Sequence, residues 1–292
     1  MATLRELKGR IGSVASSEKI TGAMKMISSA KMHKAEMALR RLLPFRRQIE
    51  TIIGNLLSAD AKFSSPLLDA REVKHVALVA LGSDDGLCGA YNANIFKRLL
   101  AQIQQYKSTY GENIEITIIP VGAKINKATA KIVATNVKLS TEYQVNSKSS
   151  GDSVKDFVIA LQEKFIAGEL DKIDVLYMNF KSASRQIETI DQLLPVVQDS
   201  FGLDNKSFRP YIFEPDANKI FASVLPLFLL SMMQEVFCEN RASEQAARIM
   251  AMQSANDNAK KLLDQLRLEY NKLRQQSITN ELLDIVGGQV KQ

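Results

Sequence analysis

The C-terminal third of the chain contains about sixty consecutive residues, Leu227 to Val286, with neither proline nor glycine. These are the two residues that most often interrupt helices. The stretch therefore predicts a single helix of roughly 90 Å, at ~1.5 Å per residue, ending at Gly287-Gly288 where a glycine cap is typical. A helix of this length exceeds those of ordinary globular cores, so we expect it to need a partner helix.

The apolar pattern of this stretch predicts a coiled coil. Apolar residues recur at spacings of three and four, which places them on one stripe of the helix. They are Leu225, Leu229, Met232 and Val236, and further on Leu262, Leu266 and Leu273. Amide and hydroxyl side chains fill the positions between them. Such a helix face is either solvated or able to slide against another polar surface.

The N-terminal segment predicts the partner helix. Thr3 and Glu6 have the spacing of a capping box. Four apolar residues then follow at spacings of three, four and three, and after residue 17 we expect the buried phase to shift to a second apolar set. The first set is Leu4, Leu7, Ile11 and Val14, and the second is Ile20, Met24 and Ile27.

Glycine and proline mark special places in this predicted N-terminal helix. Gly9, Gly12 and Gly22 should each cost about 1 kcal/mol relative to alanine, which predicts that a partner helix approaches closely at these positions. Pro44 predicts a kink or break.

The positive charge of the chain is confined to its N-terminal part. The net charge is +6, and residues 1–50 hold eleven Lys and Arg against four Glu, while the remainder holds 27 basic and 28 acidic residues. An acidic protein, nucleic acid or an anionic membrane could be the partner. Because Phe45 is the only aromatic residue there that could stack on a base, an acidic protein is favoured.

Composition limits the class of protein. Hydrophobic residues make up 46% of the chain and charged residues 24%, which indicates a folded soluble protein. We expect no bilayer-spanning run and no secretory signal. Cys88 and Cys238 lie far apart and are expected to be reduced thiols.

The middle of the chain alternates between strand and helix patterns. Four apolar runs predict buried strands, two periodic segments predict helices, and a last run that contains Pro195 predicts an edge strand. The strands are Val73–Leu81, Ile114–Val121, Ile132–Leu139 and Ile173–Phe180, the helices Tyr91–Tyr106 and Val154–Phe165, and the edge strand Ile187–Val197. This order predicts a small α/β, Rossmann-like domain with a mainly parallel sheet.

These patterns predict five segments along the chain. They are an N-terminal coiled-coil helix (1–58), a linker (59–71), the central α/β domain (72–208), a C-terminal coiled-coil helix (209–286) and a tail (287–292). The predicted fold class is therefore α/β, with a long antiparallel coiled coil of the terminal helices.

The residues by themselves indicate no active site. The loop from Gly82 to Gly89 follows a strand, but its glycines match no phosphate-binding motif and its two aspartates would repel phosphate, so we interpret it as a tight turn. Cys88 has no nearby histidine, and His33 and His75 are isolated in sequence. We therefore predict no catalytic, cofactor-binding or metal site.

Five stretches in order along the whole chain resemble the gamma subunit of F-type ATP synthases. They are Lys19–Met26, Ser83–Gly89, Glu214–Asp216, Glu239–Arg248 and Tyr270–Thr279. The chain departs from the family in having Asp85 where a basic residue is usual, and Pro226 near the start of a helix that is normally unbroken. Pro226 predicts a local bend.

This resemblance implies a rotor shaft. It implies an antiparallel coiled coil inside a ring of alpha and beta subunits, with the α/β domain on a c-subunit ring and bound to an epsilon subunit. It also implies that the chain is non-catalytic, requires no cofactor, and lies at the cytoplasmic face of a bacterial inner membrane. Ion flow would turn the ring, and the asymmetric shaft would set the beta-subunit catalytic sites to different affinities in turn.

The resemblance also implies roles for individual residues. Three groups are expected: contacts with beta subunits, an ion pair on the shaft that tunes coupling, and a foot near the c ring. The beta-subunit contacts are Ala23, Met24, Lys25, Arg274, Gln275 and Thr279; the ion pair is Glu244 with Arg248; the foot is Tyr211, Phe213 and Glu214.

The residues alone leave two other function classes open. A nucleotide-dependent enzyme would use the loop at Gly82 to Gly89, and its melting temperature would rise with ATP or NAD. A coiled-coil scaffold would self-associate through a large apolar interface. We expect instead that the isolated chain is poorly stable and binds no nucleotide.

Overall fold

The computed structural model describes residues 3–57, 65–132, 135–197 and 213–289, with side chains described as far as residue 283. Helices and strands alternate between two very long terminal helices. In chain order they are α1 (Leu4–Leu57), β1 (His75–Leu81), α2 (Tyr91–Tyr110), β2 (Glu115–Val121), α3 (Ala123–Thr129), β3 (Val137–Leu139), α4 (Gly151–Ile166), β4 (Lys172–Ser182), β5 (Arg185–Leu194) and α5 (Ala217–Gln289), with a short 3-10 turn at Pro66–Leu68.

The five strands form one mainly parallel sheet in the order β3-β2-β1-β4-β5. The first four strands pair in parallel, and β5 is an antiparallel edge strand on β4. The predicted sheet and its edge strand are therefore confirmed. The prediction of a strand from Ile132 was wrong in extent, since β3 begins only at Val137. Helix α3, between β2 and β3, was not predicted.

The central strand β1 is buried on both faces, as its continuous apolar sequence requires. Because side chains alternate along a strand, Ala77, Val79 and Leu81 belong to one core and Val76, Leu78 and Ala80 to the other. The first core also takes in α4, the end of α1 and the start of α5. The second core takes in α2 and Ile125 of α3.

The chain divides into two compact units. Unit 1 comprises Met1–Ser29 with Arg248–Gln292, and unit 2 comprises Ala30–Ala247. These two units do not test the predicted division of the chain into five segments, which stays a prediction.

Helices α1 and α5 pack against each other within both units. In unit 2 Arg46 forms an ion pair with Glu235, and in unit 1 Asn256 binds the backbone of α1 at Glu18. Residues later in α1 thus meet residues earlier in α5, which is the order of an antiparallel pair.

Both prolines of the long helices lie within continuous helix. Helix α1 passes through Pro44 without a break, and α5 passes through Pro226; the alternative of a kink at Pro44 and the bend expected at Pro226 stay predictions. Helix α5 also continues to Gln289, beyond the expected stop at Gly287-Gly288. Each proline removes one backbone donor, while the helix on either side keeps its packing.

The start of α5 is more apolar than expected, since no bilayer-spanning run was predicted. An 18-residue window within Ala217–Leu283 has a mean hydropathy of 1.8, which passes the test of length and composition for a bilayer span. Side chains in this part of the helix, among them Phe221, Phe228 and Met233, are buried in the core of unit 2. Packing in this core accounts for part of the apolar sequence, since 44% of the window is buried.

Candidate functional site

The helix pair of unit 1 begins as the sequence predicts. The Thr3 backbone N–H donates to Glu6 Oε2 at 2.9 Å, and the Glu6 N–H donates to Thr3 Oγ1 at 3.2 Å. This reciprocal pair is the capping box, which satisfies the first free amides of α1. One turn further on, Leu7 is fully buried and begins the buried side of α1.

Further along α1, polar residues occupy the buried side and apolar residues face outward. Glu18 and Thr21 are half-buried and Ser28 is buried, while Ile20 and Ile27 are 59% and 56% exposed. The predicted phase shift is therefore wrong. Of the second apolar set, Ile20 and Ile27 lie on the outer surface, whereas Met24 is half-buried.

Asn256 of α5 binds α1 through its side-chain amide. Its Nδ2 donates to Glu18 O at 2.7 Å and lies 3.3 Å from Thr21 Oγ1. A Cβ built on Gly22 would lie 3.4 Å from the same nitrogen, so the predicted close approach is confirmed there. The same prediction of a close approach was wrong for Gly9 and Gly12, because a Cβ added at either position meets nothing within 4 Å.

The residues expected to contact beta subunits lie on the surface of unit 1. On α1, Ala23 and Lys25 are exposed and Met24 is half-buried; on α5, Arg274, Gln275 and Thr279 are exposed. Their polar groups are largely free to meet another molecule, although Thr279 Oγ1 also donates to Gln275 O at 2.9 Å within the helix. Their role as contacts stays a prediction.

The loop between β1 and α2 is held by its own chain. Asp84 accepts the Ala123 N–H at the start of α3 at 3.0 Å and the Ser147 hydroxyl at 2.7 Å, and Asp85 pairs with Lys148 at 2.8 Å. A Cβ on Gly82 would stand 2.7 Å from Ile125 Cβ, so only glycine fits there. The loop is a tight structural turn, and both of its carboxylates are engaged by groups of the same chain.

The remaining expected residues lie elsewhere. Glu244 and Arg248 are both buried on α5, at 3% and 6% exposure, one helical turn apart. Their role as a coupling pair stays a prediction. Phe213 is half-buried and packs against the core that contains the start of α5, while Glu214 is exposed. Tyr211 lies outside the described residues.

Asn240 of α5 is a buried polar residue that no sequence pattern indicates as special. Its side chain is 1% exposed. Nδ2 donates to Gly82 O at 3.3 Å, and Oδ1 accepts from the Tyr91 hydroxyl at 2.6 Å and from the Met178 N–H at 3.3 Å. The residue lies within one of the stretches that carry the family resemblance, but its partners are remote in sequence.

The preceding residue, Glu239, lies in a cluster of acidic groups. Burial, together with the nearby charge of Glu235, raises the pKa of Glu239 to about 7. Its Oε2 accepts from Asn179 Nδ2 at 2.8 Å. Beside it, the Tyr177 hydroxyl donates to Asp191 Oδ2 at 2.8 Å. Within the described ranges, no group of three His, Cys, Asp or Glu side chains is arranged to hold a metal ion.

Comparison with known proteins gives a consistent result over the full length. A family model described as ATP synthase matches residues 3–290. The ATP synthase gamma chain of Phocaeicola vulgatus is 42% identical over 291 residues, covering 99% of each chain. That of Bacteroides thetaiotaomicron is 40% identical over 302 residues and covers both chains completely.

Solved structures share the fold. The chain is similar to one in the Euglena gracilis mitochondrial ATP synthase OSCP/F1/c-ring structure, at 23% identity and a TM-score of 0.63, covering 98% of this chain and 93% of that one. A chain in the rotor structure from the same organism gives 20% identity and a TM-score of 0.57, covering 94% and 98%. With full-length relatives near 40% identity, the chain belongs to the ATP synthase gamma chain family.

Proposed function

We propose that this gamma chain is the central-stalk rotor subunit of an F-type ATP synthase. In this role it couples ion-driven rotation of a c-subunit ring to the conformational cycle of the catalytic sites in the beta subunits. The observation that carries the proposal is the pair of long antiparallel helices attached to a small α/β unit, in a chain with full-length gamma-chain relatives. The chain itself would be non-catalytic and would need no cofactor.

The surface of unit 1 supports a rotating contact. Lys25, Arg274, Gln275 and Thr279 are exposed polar groups, and exposed ion pairs and hydrogen bonds are individually worth about 1 kcal/mol or less. A surface of this kind can exchange one set of partners for the next without a large barrier. Apolar side chains are exposed there as well, among them Met26 and Ile27 on α1 and Leu268 on α5, and these would add apolar contact with the head.

The proposed partners are the alpha and beta subunits of the catalytic head, the epsilon subunit and the c ring. The first fifty residues are positively charged but contain only one aromatic residue, Phe45, which favours acidic loops of the head over nucleic acid. Membrane attachment would occur only through the c ring, at the cytoplasmic face of a bacterial inner membrane. Phe213 and Glu214, together with Tyr211, would form the foot on that ring.

The experiment is purification of the assembled complex from native membranes. A tag on this chain, with gentle solubilisation, should recover alpha, beta, epsilon and c subunits with ATPase activity. Lys25→Glu should weaken coupling between hydrolysis and ion pumping, because it reverses the charge that meets the head, whereas Glu163→Gln on the exposed side of α4 should not. Recovery of the chain alone, or with nucleic acid, would contradict the proposal.

A nucleotide-binding role is the second candidate, and it is tested on the isolated chain. The loop at Gly82 to Gly89 was the only sequence feature that favoured it, and Asp84 already occupies the amide at the start of α3. Addition of ATP or NAD to the isolated chain should therefore leave its melting temperature unchanged. A rise of several degrees that depends on ligand concentration would favour the enzyme instead.

A further inference from the structure

We propose that Asn240 is a positioning residue that fixes the rotational setting of α5 against the sheet, so that turning force passes between the sheet and the helix without slip. The inference rests on the proposed rotor function. It concerns only unit 2, where α5, β1, β4 and α2 meet.

The amide of Asn240 extends the hydrogen-bond ladder of the sheet. The last paired residues of β1 and β4 are Ala80 and Leu176. Just beyond them, Asn240 Nδ2 donates to Gly82 O at 3.3 Å and Oδ1 accepts from the Met178 N–H at 3.3 Å. A side-chain amide from the helix thus bridges one backbone acceptor and one backbone donor at the end of two neighbouring strands.

A third contact fixes the orientation of this amide. The Tyr91 hydroxyl, at the start of α2, lies 2.6 Å from Asn240 Oδ1 and 3.1 Å from the Asn240 backbone O. Tyr91 and Met178 are each 3% exposed, so the whole arrangement is shielded from water. In such surroundings each hydrogen bond is strong, and a buried group that loses its partner is costly.

The neighbouring residues extend the contact around the helix. Arg241 donates to Ser147 O and Ser149 O, both at 3.1 Å, and Glu239 accepts from Asn179. Successive helical residues point about 100° apart, so Glu239 reaches β4, Asn240 reaches β4, α2 and the end of β1, and Arg241 reaches the segment before α4. A rotation of α5 by a single residue position would break all three sets of contacts.

Hydrogen bonds are needed for this role because apolar packing is not directional. Elsewhere in unit 2, α5 is buried through apolar side chains such as Phe228, Leu229 and Met233. These side chains can repack with a modest loss of free energy when the helix turns. Hydrogen bonds lose most of their strength when distance and angle change. Asparagine suits the position because it offers one donor and one acceptor side by side, which neither aspartate nor leucine does.

The test uses the assembled complex carrying Asn240→Leu, reconstituted into vesicles. Leucine has a similar volume and removes the whole amide. We expect ATP hydrolysis to stay within about twofold of wild type. The number of ions pumped per ATP hydrolysed should fall by about fivefold under an opposing ion gradient. A change of this size is what the loss of a pair of buried hydrogen bonds is expected to produce. Tyr91→Phe, which removes one hydroxyl, should lower the same ratio less.

The matched control is Ser231→Ala. Ser231 is a buried polar residue on the same helix, and its hydroxyl donates to Phe228 O of α5 itself, at 2.8 Å. It should lower the melting temperature of the complex without changing the pumping ratio. If Asn240→Leu behaves like this control, the inference is overturned.

Two further outcomes are decisive. If the leucine variant does not assemble, Tyr91→Phe decides the question, and an unchanged ratio in that variant overturns the inference. If the wild-type preparation itself contains no head or ring subunits, or pumps no ions, the proposed function fails rather than the role of Asn240.

Discussion

Replacing Glu239 with glutamine should change how the stability of the chain depends on pH. The pKa of Glu239 is raised to about 7 from an ordinary value of 4.5, first by burial and then by the charge of Glu235, with a further contribution from Asp191. The charged form is thus disfavoured in the folded chain. The contribution of this carboxyl to stability is complete below pH 4.5 and is lost as the pH rises to about 7.

The magnitude follows from the size of this shift. One pKa unit corresponds to about 1.4 kcal/mol, and because Glu239 is only half-buried the full value must be reduced for screening by solvent, to about 2 kcal/mol. Glutamine is uncharged at every pH and can still accept from Asn179 Nδ2. Its amide can in addition donate to Asn179 Oδ1, a buried acceptor that has no hydrogen-bond partner in the described part of the chain.

The assay is urea unfolding of the full chain at steps from pH 4.5 to pH 8, for wild type and for Glu239→Gln. The two should have similar free energies of unfolding near pH 4.5, and the variant should be more stable by about 2 kcal/mol at pH 8. Glu163→Gln, at an exposed position on α4, is the control and should show no such divergence. A difference that does not vary with pH, or a variant that is less stable at pH 8, would refute the reasoning.

Three further substitutions test other parts of the structure. Gly82→Ala should lower the free energy of unfolding by roughly 2–3 kcal/mol in a urea titration, because its Cβ would lie 2.7 Å from Ile125 Cβ. Gly9→Ala and Gly12→Ala should each raise helix stability by about 1 kcal/mol, seen as a higher melting temperature by circular dichroism; a fall would reveal a contact within the chain. Asp85→Asn should change thermal stability by less than about 1 kcal/mol, because its pair with Lys148 is well exposed, and a larger loss would show that the loop depends on it.

Much of the fold could be predicted from sequence because burial on both faces leaves a strong local pattern. The apolar run that becomes β1 and the edge strand β5 are examples. Helix α3 was missed because its seven residues are mostly polar and offer no clear period. The long helices were recognised, but α1 continues through Pro44 and α5 continues past Gly287, where a break and a stop were expected.

The candidate surfaces were only partly predictable. The apolar stripe of Ile20, Met24 and Ile27 was identified correctly as a pattern, but a pattern cannot tell whether apolar residues face their own chain or another molecule. Asn240 left no local signal, because its partners Gly82 and Met178 lie 158 and 62 residues away in the sequence. Hydrogen bonds of this kind are fixed by the tertiary fold rather than by neighbouring residues.

The contact made by Asn256 has a consequence for which substitutions relatives of this chain can carry. Its amide donates to the backbone carbonyl of residue 18, a group that every amino acid provides. The side chain at position 18 is therefore free to change between species without loss of that bond. Position 22 is different, because even a methyl group would lie 3.4 Å from the same amide. We expect natural variation there to be limited to glycine and alanine.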